Sequence, residues 1–143
     1  MTMCQCDQTT DECGCTLELI WDEDLNATAL TGGASPIRIG PAVNLLPHQL
    51  MALAASSSLM TSFLELAAAT GVPVEGYVSS ARLRAGTNGE PELALTPCVV
   101  VSSENDGRLV ADLWREAVRY SRTLGVLRDR LRIEPVVRVA PPT

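Results

Sequence analysis

The chain has 143 residues and a net charge of −6, and all eleven of its basic residues are arginine. With 46% hydrophobic and 20% charged residues it lies outside the disordered and fibrous classes, and its length suits one domain or one protomer of a small oligomer. The acidic balance argues against nucleic acid as a partner, since phosphate binding needs clustered positive charge, and the lack of lysine excludes Schiff-base chemistry.

Residues 1–15 contain no Leu, Ile, Val or Phe but hold four of the five cysteines, so they read as a cysteine-rich tail without a core. This stretch has neither a cationic n-region nor an apolar h-region, so the cytoplasm is the expected location, where thiols stay reduced. The body runs over 16–143. Leu17, Leu19 and Trp21 alternate with Glu18, Ile20 and Asp22, which predicts a strand. Asp22 to Asn26 reads as a turn, Ala27 to Leu30 as the return strand, and Ile37 to Ile39 as a short third strand.

Pro47 to Thr70 predicts a long helix. Proline suits the first turn, where its missing N–H costs nothing, and Gly71 with Pro73 ends the helix. Apolar or small residues occur on every side, so the expectation is a helix buried nearly all round. A membrane span is disfavoured by His48, Gln49, Glu65 and the five hydroxyl residues Ser56, Ser57, Ser58, Thr61 and Ser62, and by the lack of a flanking cationic cluster.

Val74 to Arg84 and Glu92 to Ser103 predict two strands around an Asn88-Gly89 turn. Leu109, Val110, Leu113, Trp114, Ala117 and Val118 repeat at helical spacing, with Asn105 or Asp106 available as the N-cap and Gly125 past the end. Leu131, Ile133 and Val136 to Val139 form a closing strand marked by Pro135. The order is β-β-β-α-β-β-α-β, an α+β domain.

The run Pro47-His48-Gln49-Leu50, then Ala52 to Ser58, Leu66-Ala67 and Gly71-Val72-Pro73-Val74-Glu75-Gly76, resembles the OsmC/Ohr family of osmotically inducible and organic hydroperoxide resistance proteins. Tyr120-Ser121-Arg122-Thr123-Leu124 resembles the end of that family's Cys-Pro-x-Ser-x-x-Leu segment, and the likeness spans Thr16 to Val139. The resemblance implies an intertwined homodimer whose interface sites reduce organic hydroperoxides. A peroxidatic cysteine on the central helix would attack the O–O bond, and a resolving cysteine on the second helix would capture the sulfenic acid. This chain departs from that pattern. An ungapped count from Pro47 puts the peroxidatic position on Ser58, with Ser56 or Ser57 reached by a short gap, and a count back from Ser121 puts the resolving position on Val118. The family's glutamate after the proline is His48.

Cys4-x-Cys6 and Cys13-x-Cys15 form a CxC-x6-CxC array. Alternate residues of extended backbone point the same way, so each pair can pinch one ion between two thiolates, and four thiolates could hold zinc, iron or Cu(I). The same thiols could act as a redox relay. His48 and Ser58 form a second candidate, a nucleophile and base about 15 Å apart along one helix, which would have to meet across a dimer interface. Cys98, between Pro97 and Val99, reads as a small hydrophobe of a strand, and Arg38 is the one arginine before the long helix. Arg128, Arg130 and Arg132 alternate with Asp129, Leu131 and Ile133 as a solvated strand face.

Three functions are therefore expected from different classes. The first is an OsmC-like protein without the peroxidatic pair that handles metal, sulfur or redox equivalents with its tail thiols. The second is a hydroperoxide reductase in which those thiols replace the missing pair. The third is a non-enzymatic binder of a hydrophobic small molecule at the dimer interface.

Overall fold

The computed structural model describes residues 17–31, 35–41 and 46–141. The four tail cysteines lie outside them. The chain divides into two compact units between Leu50 and Met51.

The first unit carries β1 (Leu17–Glu23), β2 (Asn26–Thr31) and β3 (Ile37–Ile39), an antiparallel sheet in that order. The hairpin turns at Asp24, whose φ of 50° lies in the left-handed region, and the Trp21 Nε1–H donates to the Asp24 carbonyl at 2.7 Å. Leu19, Ile20, Trp21 and Leu25 are all exposed. Gly40 has a φ of 144° and backs onto the buried Asn26, so that any Cβ there would collide with the Asn26 side chain.

The long helix α1 (Pro47–Thr70) has the bounds its end signals predict. The Gln49 side chain reaches back to accept from the Leu46 backbone N–H at 2.8 Å, half of a capping box. At the other end Val72 N–H donates to Ala67 O and Gly71 N–H to Ala68 O, a Schellman closure that needs the positive φ of 75° at Gly71. The expectation of burial nearly all round is corrected. Only Ala55, Leu59, Phe63 and Ala67, spaced four apart, are fully buried, while Leu53 is 59% and Met60 37% exposed. Hydrophobicity all round the helix shows that every side tolerates burial, not which side this chain covers. α1 is also long and apolar enough to cross a membrane, a test that the core helix of a folded domain equally passes.

In the second unit β4 (Val74–Ala85) pairs antiparallel with β5 (Pro91–Val101). The connecting turn closes with Gly89 N–H to Gly86 O, and only Gly89 of the Asn88-Gly89 pair takes a positive φ, so the hairpin is a turn followed by a left-handed glycine rather than a two-residue primed turn. The closing strand is two strands. β6 (Leu131–Ile133) lies parallel to Leu93–Leu95 and β7 (Val136–Val139) parallel to Cys98–Val101. Pro97, buried in the middle of β5, falls in the gap between them, where no ladder bond to β6 or β7 is lost to its missing N–H.

α2 (Glu104–Tyr120) is capped by Ser103, not by Asn105 or Asp106: Ser103 is extended, and its Oγ accepts from the Asp106 N–H at 3.2 Å. The helix stops at Ser121, and a further helix, α3 (Arg122–Leu127), follows, with Gly125 inside it rather than beyond a terminus. Arg128–Arg130 form a single 3-10 turn, so of the three alternating arginines only Arg132 lies on a strand. The core of this unit joins Leu59 and Phe63 of α1, Leu95 and Val99 of β5, and Val110 and Trp114 of α2.

At the β-hairpin end, Arg84 Nε donates to Glu92 at 2.8 Å, Arg84 Nη2 donates to Glu134 at 2.8 Å, and Arg132 approaches Glu92 at 3.5 Å. Arg130 pairs with Glu90. The Arg84 hydrogen bond holds the Glu92 carboxyl below its ordinary range, with Arg132 adding to the effect. A depressed carboxylate stabilises the fold above its unfolded pKa of about 4.3, and that contribution is lost as pH falls through the lower folded value. Glu92→Gln is therefore expected to flatten the acid limb of a stability–pH profile below about pH 4.3. An unchanged limb in urea melts would remove this network as its cause.

Candidate functional site

Among the described residues, a sequence-nominated hydroxyl meets a side-chain partner where α1 approaches the α2–α3 junction. Ser58 Oγ and Ser121 Oγ are 2.5 Å apart. Ser58 is half-buried and Ser121 only 5% exposed.

Ser121 is fixed there by two helix ends. Its N–H donates to Ala117 O at 3.1 Å, closing α2, and its Oγ accepts from the Leu124 N–H at 3.2 Å, opening α3. A residue that ends one helix and caps the next has its backbone set at both sides, so its side chain direction is determined. The Oγ atom has lone pairs for both the Leu124 N–H and Ser58, and its proton can serve the Ser58 oxygen. One hydroxyl proton is thus used between the two oxygens, while the Leu124 N–H fills a further lone pair of Ser121 Oγ.

Val118, the position counted back from Ser121, lies three residues earlier on α2, beside Trp114 and Leu131. The partner of Ser58 is Ser121 itself, which the sequence reading did not nominate: α2 ends at Tyr120, and the next residue is set against α1. The signal was present as a serine three residues before Leu124 at a helix break.

His48 is exposed in the first turn of α1 and makes no hydrogen bond to any described residue. The Ser58–Ser121 pair has no imidazole or carboxylate within hydrogen-bond reach among the described residues. A serine hydroxyl needs such a base to become a nucleophile, and within one chain the described residues place none beside either oxygen. Cys98 is a free, half-buried thiol on β5, opposite Val78 and Val136. Among the described residues no three His, Cys, Asp or Glu side chains gather as a metal site.

Deeper in the same unit Phe63, Tyr77 and Trp114 form an aromatic cluster. The Phe63 and Trp114 rings stack at 3.8 Å and 16°, and Tyr77 lies 5.9 Å from each. Burial pushes the Tyr77 hydroxyl up to about 12, and it has no hydrogen-bond partner among the described residues.

Substitution separates the two serines. Ser121→Ala removes the α3 cap and the inter-helix bond together and is expected to cost about 2 kcal/mol, whereas Ser58→Ala removes only the latter, about 1 kcal/mol. Equal losses in urea denaturation would show that the cap contributes nothing.

No protein-family model matches the sequence, and no curated protein matches it. Solved structures do. An OsmC-like protein of unknown function from Vibrio cholerae superposes with a TM-score of 0.72 at 19% identity, over 85% of this chain and 98% of that one. An OsmC-like protein from Mycoplasma pneumoniae gives 0.72 at 14% identity, over 92% of this chain and 100% of the other. The organic hydroperoxide resistance protein OhrB of Bacillus subtilis gives 0.60 at 12% identity, over 86% and 98%. TM-scores of 0.72 with near-complete coverage of those chains carry the conclusion that this chain has the OsmC-like fold.

Proposed function

We propose that this chain is an OsmC-like protein whose α1 site does not reduce peroxides and whose thiol chemistry resides in Cys4, Cys6, Cys13 and Cys15, as a metal-, sulfur- or redox-handling module. The observation that carries the reading is that Ser58, whose hydroxyl meets Ser121 at 2.5 Å, and Val118 stand where the resemblance calls for cysteines. The resemblance to hydroperoxide reductases leads one to expect two thiols on the central and second helices, and here those positions carry an alcohol and a hydrocarbon side chain. An alcohol oxygen has no counterpart of the thiolate–sulfenic acid–disulfide cycle. The CxC-x6-CxC array then holds four of the chain's five thiols, in a spacing suited to zinc, iron or Cu(I).

The same reading includes a homodimer. Leu53 and Met60, seven residues apart on α1, form an apolar face exposed in the single chain, and a second copy would cover it. Light scattering at twice 15.3 kDa is the expected result.

Stopped-flow consumption of cumene hydroperoxide with a dithiol reductant tests the main claim. The expected result is no turnover above a variant with all four tail cysteines changed to serine. Turnover that disappears in that variant would instead make the tail thiols a peroxidatic centre.

A further inference from the structure

The geometry points to a binding groove for a small amphipathic carboxylate, with an aliphatic or aryl body, between α2 and β6, lined by neither serine of the Ser58–Ser121 pair. The groove encloses about 450 Å³, within the size of small-molecule sites, about 300–1,000 Å³. One wall is Ala111, Trp114 and Val118 on α2, and the other is Leu131 and Ile133 on β6.

Pro135, Arg115 and Arg128 complete the lining. Arg115 shares its charge with Asp112 at 3.4 Å, both side chains being highly exposed. Arg128 has no carboxylate partner among the described residues, although Arg130 and Arg132 nearby are paired with Glu90 and Glu92. A chain of net charge −6 thus places beside an apolar cleft a guanidinium that no described carboxylate pairs. Apolar walls select a hydrocarbon body, and a planar fork of N–H donors selects a carboxylate over an ammonium or an uncharged headgroup. Val118 is a wall of this cleft, so its side chain serves the groove.

The probe is a series of straight-chain monocarboxylates from octanoate to dodecanoate, titrated into the full-length Trp21→Phe protein so that Trp114 alone reports by fluorescence. Saturable binding is expected, tightening about three- to fourfold per added methylene. Arg128→Gln is expected to weaken dodecanoate about three- to fivefold, as for a solvent-exposed ion pair, and to leave dodecanol unchanged. Ala111→Phe, at an exposed position of α2, fills the cleft without adding a second tryptophan and is expected to abolish binding. Should that variant fail to fold, the Arg128→Gln comparison stands alone. Equal affinity for dodecanol and dodecanoate, an Arg128→Gln variant that binds as tightly as its parent, or no saturable signal would each overturn the proposal.

Discussion

Phe63→Ala is expected to lower the free energy of unfolding by about 3–5 kcal/mol, the largest loss from any single truncation in this chain. Phe63 is fully buried and is the only phenylalanine in the sequence. Its ring stacks on Trp114 and leans on Tyr77, so truncation removes transfer energy and about 0.5–1.5 kcal/mol of aromatic pairing. Beyond those two rings the core it sits in is aliphatic, with Ala55, Leu59, Val110 and Ala117 among its buried members, and it relaxes only partly into a phenyl-sized hole. Against a total stability of about 5–15 kcal/mol, the loss approaches outright unfolding. Phe63→Leu, which keeps most of the volume, should cost less than about 1.5 kcal/mol. Urea melts of the pair, with near-ultraviolet circular dichroism reporting the Trp114 environment, check this. A Phe63→Ala loss under about 1 kcal/mol would mean that this face of α1 is not core.

The second large effect is a gain. Ser58→Cys with Ser121→Cys is expected to close a disulfide on mild oxidation and to raise stability by about 2–4 kcal/mol. The two oxygens already lie 2.5 Å apart on residues separated by 63 positions, so the side chains face each other and the closed loop is long. Ser121 is held by both helix ends, which limits the strain that often erodes engineered bridges. Peptide mapping distinguishes the new bridge from pairs among the native thiols. A double variant that stays reduced, or that links only through Cys98 or the tail, would show that the helices do not meet as described.

How much of this was legible in the sequence follows from where chemistry marks a boundary. α1 was readable to the residue because Pro47 and Gly71 act through backbone geometry that holds in any context. The first hairpin and the β4–β5 hairpin were readable because alternation and turn residues are local. α3 was not, since Gly125 reads as a terminator and only the Ser121 cap shows that a second helix starts there. The closing strand split because Glu134 and Pro135 step across the gap that Pro97 leaves in β5, a match between segments distant in sequence. The candidate site was half legible for the same reason. Ser58 follows from counting along one uninterrupted helix, but its hydrogen-bond partner Ser121 depends on where α2 ends in space, which no count along the sequence shows.

Metal analysis of anaerobically purified full-length protein, paired with a free-thiol titration, tests the central claim most directly. The account predicts bound metal in a fixed ratio to the chain, with the four tail thiols protected and only Cys98 open to the reagent as the protein unfolds. Metal-free protein with all five thiols titrating freely, and a four-serine tail variant indistinguishable from the parent, would contradict it.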